Sequence, residues 1–163
     1  MKEAIITFFA DNAFFVVFFH VLSAFVWVGG MIAIRGAVHP SLQHIDDPKV
    51  RLARTLEIMH RLFMIVMPFI IVLLVTGGMM AIGMGFKGTP LYGMVHVKEA
   101  IWTIMTINYT WMFIKRNKAE RLFVAGDLAG AKAVLAPIPN VMLPLNIALG
   151  VVALAVGVTL RGF

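Results

Sequence analysis

Cysteine is absent from this chain. That excludes a disulfide framework, a zinc–thiolate site and a thiol nucleophile, and it removes cysteine as a guide to redox compartment. Charge is scarce too: Asp, Glu, Lys and Arg make up 13% of the 163 residues, about half the roughly 25% of a soluble domain. No nucleophile–base arrangement, phosphate-cradling loop or dinucleotide fingerprint is present. The glycines of GGMMAIGMG, which starts at Gly77, close an apolar run, where they serve packing and the turn. No heptad pattern or internal repeat is evident.

What the chain has instead is apolar bulk: 61% hydrophobic residues and a mean hydropathy of +0.93. Four apolar runs, at about 13–38, 59–84, 92–114 and 139–160, are long enough for a hydrocarbon core that takes roughly 20 helical residues to cross. Backbone groups in lipid must be satisfied within the segment, so these runs are helices. The expected fold is all-α, a four-helix transmembrane bundle forming one integral membrane domain over 1–163. A cleaved signal peptide is disfavoured, because Glu3 and Asp11 interrupt the leader and the apolar run continues past Ala24 to about Ile34. Asp47 is a good N-cap and Pro48 suits the first helical position. Pro68 should kink the second helix. GMGFKGTPLYG reads as a short turn, and the polar stretch from Lys115 to Pro139 as a connection holding a surface helix.

Ten of the fourteen lysines and arginines flank the first and third connections, while Lys2, Lys87 and Arg161 lie on the opposite side. The positive-inside rule puts both basic connections in the cytoplasm and both termini on the outer side of a bacterial-type inner (cytoplasmic) membrane. The net charge of +6 is accounted for in this way, and nucleic acid is not an expected partner. The lipid bilayer is, and the exposed apolar faces leave a homo-oligomer open.

His20 and His96 fall in the first and third runs, near their outer ends. At ~1.5 Å rise per residue their depths differ by roughly 3 Å, which suits bis-histidine ligation of a b-type haem (haem b) between two helices. Ser23, Ala24, Trp27 and Met31 share the face of His20, and Gly30 flanks it. Small residues there leave room for a macrocycle. They are equally the residues of ordinary close helix packing, and a lone histidine can simply hydrogen-bond to a neighbouring helix. Ala100, Thr103 and Ile107 share the face of His96. Lys98 points about 200° away, with Trp102, Met105 and Tyr109, and either pairs with Glu99 or a propionate or snorkels outward. Glu99 lies on the His96 side, placed to orient the imidazole or relay protons. Arg35, His39, His60 and Arg61 gather at the inner boundary, where the positive-inside rule alone explains basic residues. A second haem or an anion site there, with His60 as a metal ligand, is the sharper alternative, while Arg35 with Lys98 is expected as a charge partner of the haem held by His20 and His96. His44 is expected in a solvated loop. The twelve methionines include Met64 and Met67 on the His60 face and the pair Met80 and Met84. Thioether with imidazole suits copper(I), although methionine is also a common apolar filler.

With these residues in place, the chain resembles the CopD/HemJ superfamily of four-helix membrane proteins. This comprises CopD-type copper-resistance domains and HemJ-type protoporphyrinogen oxidases. The matching pieces are His20 with Trp27-Val28-Gly29-Gly30, Thr76-Gly77-Gly78, Tyr92-Gly93 with His96-x-Lys98, Lys115-Arg116-Asn117 and the proline before the last run. The resemblance implies that His20, His96 and Lys98 are functional, with b-type haem and porphyrinogen oxidation in one branch and copper handling in the other. The expected function is electron transfer or oxidation of a small substrate, quinol or porphyrinogen, with a quinone or redox partner as acceptor. Copper transport and HemJ-like oxidation are the alternatives, and whether the chain is an enzyme is left open.

Overall fold

The computed structural model describes residues 2–161. It is all-α, with four long helices: α1 (Lys2–Leu42), α2 (Pro48–Gly83), α3 (Tyr92–Val124) and α4 (Leu128–Leu160). Three of them, α1, α2 and α4, are long and apolar enough to cross a membrane, so the chain is a multi-pass membrane protein. The fourth, α3, is long enough but less apolar. It carries His96, Lys98, Glu99, Asn108 and the Lys115-Arg116-Asn117-Lys118 run along one helix.

The helix ends follow from local chemistry. The Asp47 carboxylate accepts from the backbone N–H of Lys49 (2.7 Å) and Val50 (3.3 Å), with Pro48 in the first turn of α2. These are the cap and the first-turn proline expected from the sequence. The 84–91 connection turns through Gly85 and Gly88, whose φ values of +67° and +88° suit glycine. The third connection is much shorter than the sequence suggests. α3 runs on to Val124, so Lys115, Arg116, Lys118 and Arg121 are helical, and only 125–127 lie between α3 and α4. There Gly126 (φ +86°) ends α3 in a Schellman arrangement, Asp127 N donating to Leu122 O and Gly126 N to Phe123 O. The Asp127 side chain then caps α4 by accepting from Gly130 N at 2.8 Å. The expected surface helix is the first two turns of α4 itself.

α1 begins at Lys2, well before the expected apolar run. It bends where Asn12 leaves helical geometry (φ −124°, ψ 20°) and donates to Phe8 O. Two π turns, Phe25–Gly29 and Ile34–Val38, widen it, and a third lies in α4 at Ile138–Met142. The Trp27-Val28-Gly29 stretch sits inside the first π turn, which keeps Ser23, Trp27, Val28 and Met31 all buried. α2 continues helically through Pro68.

Short antiparallel connections make consecutive helices neighbours. The N-terminal half of α1 packs along α2, α2 on α3, and α3 on α4, while the middle of α1 closes the ring against α4. Gly150 permits that closure: a Cβ there would lie 2.5 Å from Val28 Cγ2, so α1 and α4 approach through a missing side chain. Trp27, Met31, Phe63, Val66, Met105 and Met112 form the core. Polar side chains bridge helices within it. Tyr109 Oη donates to Phe63 O at 2.5 Å. Asn108 Nδ2 donates to Met142 O and to Asn146 Oδ1, both at 2.8 Å, and Asn146 Nδ2 donates to Met105 O at 3.1 Å.

Candidate functional site

His20 stands on the inward side of α1, half-buried, with its Nδ1 3.0 Å from Thr76 Oγ1 on α2. Thr76 is itself buried, and its hydroxyl lies 2.6 Å from Val72 O and 3.3 Å from Leu73 O. The adjacent Gly77 lets the imidazole lie against α2, since a Cβ at Gly77 would come within 3.3 Å of His20 Cε1. Below His20, Ser23 is sealed from solvent and its hydroxyl donates to Phe19 O at 2.7 Å. Ala24 and Gly30 are half-buried, the latter facing Leu62.

Lys98 comes from α3. It shares the inner face of that helix with buried Ile101, Met105 and Tyr109 and with Trp102. Its ammonium reaches α4 at Gly157, 3.1 Å from where a Cβ would stand. No ion pair engages Lys98 among the described residues. The indole nitrogens of Trp27 and Trp102 are buried without an acceptor, and the Trp27 ring meets the Tyr109 ring edge-on at 6.2 Å. Among the described residues, the bundle interior thus holds two buried indole N–H donors without an acceptor, and Lys98 forms no ion pair.

His96 is elsewhere. Its side chain is 56% exposed, its Nδ1 is paired with Glu99 at 2.9 Å, and its ring stands edge-on to Tyr92. Ala100, Thr103 and Ile107, which share its face, are exposed as well. Glu99 is hydrogen-bonded to the imidazole, as the spacing suggests, but the pair sits on the exposed side of α3. The N-terminal half of α1 packs chiefly on α2, and the two histidines engage different partners, His20 with Thr76 and His96 with Glu99. Lys98, expected to pair with Glu99 or a propionate or to snorkel outward, lies on the inward face of α3 with its ammonium beside Gly157 of α4.

The remaining candidates are not part of this cluster. Arg35 lies fifteen residues beyond His20 on α1, about 22 Å along the helix at 1.5 Å per residue. His60 is exposed near the inner end of α2, beside a groove of about 320 Å³ that Leu56, Glu57, Arg116 and Glu120 also line. Arg54 and Arg61 both engage Glu57 at 2.8 Å on the surface there. Arg116 is a basic residue that is not at the surface. It is 4% exposed, donates twice to Leu56 O and pairs with Glu120. Met64 and Met67 face outward, as apolar filler does, and His44 is exposed in the turn after α1. No group of three or more His, Cys, Asp or Glu residues able to hold a metal ion occurs among the described residues.

For a b-type haem, the fit is partial. His20 supplies one neutral nitrogen donor, and Lys98 supplies a cation suited to a carboxylate. His96 does not supply a second nitrogen as it stands. An apolar groove of about 450 Å³ lies on the exposed flank of α1, lined by Ala13, Phe14, Val17, Phe18, Val21 and Arg161, and His20 does not line it. Sequence reasoning missed Thr76, Asn108 and Asn146. The signal for each was a polar residue inside an apolar run, where it needs a partner on another helix.

Comparison with family models, with curated proteins and with solved structures finds no match to this chain.

Proposed function

We propose that the chain is a membrane-embedded redox protein whose outer-half interior binds a b-type haem through His20, in electron transfer or oxidation of a small substrate. The observation that carries this reading is the half-buried imidazole of His20 inside an apolar helix, hydrogen-bonded through Nδ1 to Thr76 of α2. Haem iron would supply the one-electron chemistry. The residues would do the rest: His20 as axial ligand, Lys98 as counter-charge to a carboxylate, and the apolar walls of α1 and α2 as the barrier to water. A second ligand from His96, expected from its depth, requires that ring to leave Glu99 and α3 to turn its outer face inward. We therefore place the weight on His20. The resemblance to the CopD/HemJ superfamily belongs to this same proposal.

Copper handling draws less support. A bare metal cation next to Lys98 would meet like charge with no carboxylate to offset it, and Met64 and Met67 face away from the interior. A tetrapyrrole, whose carboxylates meet the Lys98 charge, has no such conflict.

The proposal includes the finer topology. α3 is the remaining crossing, with Asn108 bonded to α4, Arg116 to α2 and His96 paired with Glu99, both termini outside and the basic ends of α2 and α3 in the cytoplasm.

The test is an absorption spectrum of the detergent-purified protein, oxidised and dithionite-reduced, with metal analysis on the same sample. A Soret band lost in His20→Ala supports the proposal. His96→Ala then separates two forms: an unchanged spectrum leaves His20 as the only protein ligand, and a change to a high-spin spectrum restores the bis-histidine form. A colourless protein from haem-replete cells, with or without near-stoichiometric copper, sinks the haem reading.

A further inference from the structure

The contacts around Thr76 decide where the proton of His20 sits. A threonine hydroxyl carries one hydrogen. Thr76 Oγ1 lies 2.6 Å from Val72 O and 3.3 Å from Leu73 O, and both carbonyls can only accept. The hydroxyl hydrogen is committed to them, in the back-bonding common for threonine in membrane helices. What Thr76 turns toward His20, at 3.0 Å, is a lone pair. The group meeting that lone pair must donate, so neutral His20 carries its proton on Nδ1. Its Nε2 then bears the free pair. Nε2 makes no hydrogen bond among the described residues, and unlike the indole nitrogens of Trp27 and Trp102 it is not sealed off.

We propose that Thr76 is a positioning residue: it fixes His20 in the Nδ1–H tautomer and so makes Nε2, which is not sealed off, a Lewis base open to a ligand. This is the reverse of the tautomer that a free imidazole prefers in water. Two features hold it. Thr76 is buried, so water does not compete for the Nδ1 proton, and the bare Cα of Gly77 leaves the ring room to lie at hydrogen-bond distance. An unprotonated Nε2 accepts a Lewis acid or a hydrogen-bond donor and cannot itself donate. With the Lys98 charge nearby, the group that binds there is neutral or anionic overall. Second partners of this kind set ligand basicity and ring orientation, and removing one typically lowers metal affinity roughly 10–100-fold. The functional use of Nε2 rests on the haem reading above. The tautomer does not.

The test uses the full chain, with isotopically labelled histidine, purified from cells starved of haem. Nitrogen NMR distinguishes a protonated from an unprotonated ring nitrogen, and the signal that vanishes in His20→Gln identifies His20 among the five histidines. The expected wild-type result is a protonated Nδ1 and an unprotonated Nε2. Thr76→Ser should keep that pattern, and Thr76→Val should move the proton to Nε2 or mix the two forms. Circular dichroism confirms that each variant is helical. Gly77→Ala is the second probe: it leaves the hydroxyl in place but crowds the ring, and the Nδ1 signal should shift away from its hydrogen-bonded position. A wild-type His20 protonated on Nε2, or a Thr76→Val spectrum identical to wild type, overturns the proposal. In haem-loaded samples Thr76→Val should bind at least ten-fold more weakly than Thr76→Ser. A wild type that shows the expected tautomer but takes up no haem overturns the functional reading and leaves the Thr76 assignment standing.

Discussion

Tyr109 and Asn146 show how polar residues inside this bundle act as joints between helices. The Tyr109 hydroxyl gives its proton to a carbonyl of α2, and Asn146 both accepts from Asn108 and donates to Met105 O across α3 and α4. Interhelical hydrogen bonds in membranes contribute about 0.6 kcal/mol on average and up to ~1.7. Tyr109→Phe keeps the ring against Trp27 and Phe63 and removes only the hydroxyl, so we expect a loss of about 0.5–1 kcal/mol. Asn146→Ala removes both bonds of a side chain that is 0% exposed and leaves a void. Its expected cost is larger, about 2–3 kcal/mol. Reversible unfolding in mixed micelles measures both, and equal losses would contradict the interhelical role given to Asn146.

At the scale of elements, the closest approach of two helices is α1 on α4 at Val28 and Gly150. A methyl group at Gly150 has nowhere to go unless Val28 gives way. Gly150→Ala should therefore destabilise by about 1–3 kcal/mol, the usual cost of overpacking. Val28→Ala in the same chain should recover much of that loss, because the two changes share one contact and do not add. Additive losses in the double variant would mean that the helices do not meet there. The π turn of α1 belongs to the same contact. It carries Trp27 and Val28 into the core together, and such turns recur at functional sites. Thr76 works at this scale too: it joins α2 to α1 through His20, and the bond spans 56 positions of sequence.

For the whole molecule, the topology can be read directly, since the chain has no cysteine to remove first. Single cysteines at Lys49 and Lys118 should react with a membrane-impermeant maleimide only after the cells are permeabilised. A cysteine at Lys87, in the 84–91 connection, should react in intact cells. Labelling of Lys118 from the same side as Lys87, with Lys49 on the other, would remove α3 from the set of crossings, and outside labelling of Lys49 and Lys118 but not Lys87 would reverse the assignment of the basic ends. The charge distribution makes the first pattern the expected one.

Much of this architecture is set by the order of residues alone. Apolar runs too long for anything but helices fix the fold class, Asp47-Pro48 fixes the start of α2, and Gly85 with Gly88 turns the chain back. Each is a local effect, decided within a few residues. The inward residue of α3 is a different matter. Its outer end carries His96 on one face and Lys98 on the other, and helical periodicity separates the two faces without choosing between them. Only the packing of α3 against α2 and α4 puts Lys98 inside and leaves His96 with Glu99 on the surface. The same holds for Arg116, which reads as one more basic residue at a membrane edge until the carbonyl of Leu56 and the carboxylate of Glu120 close around it. The helical path through Lys115 to Arg121 also depended on partners, because a polar stretch stays helical when one face is buried against neighbouring helices. His20 was visible in the sequence as an isolated polar residue in an apolar run. Its proton position was not, because that depends on a hydroxyl from another helix, which only the folded chain brings within 3.0 Å.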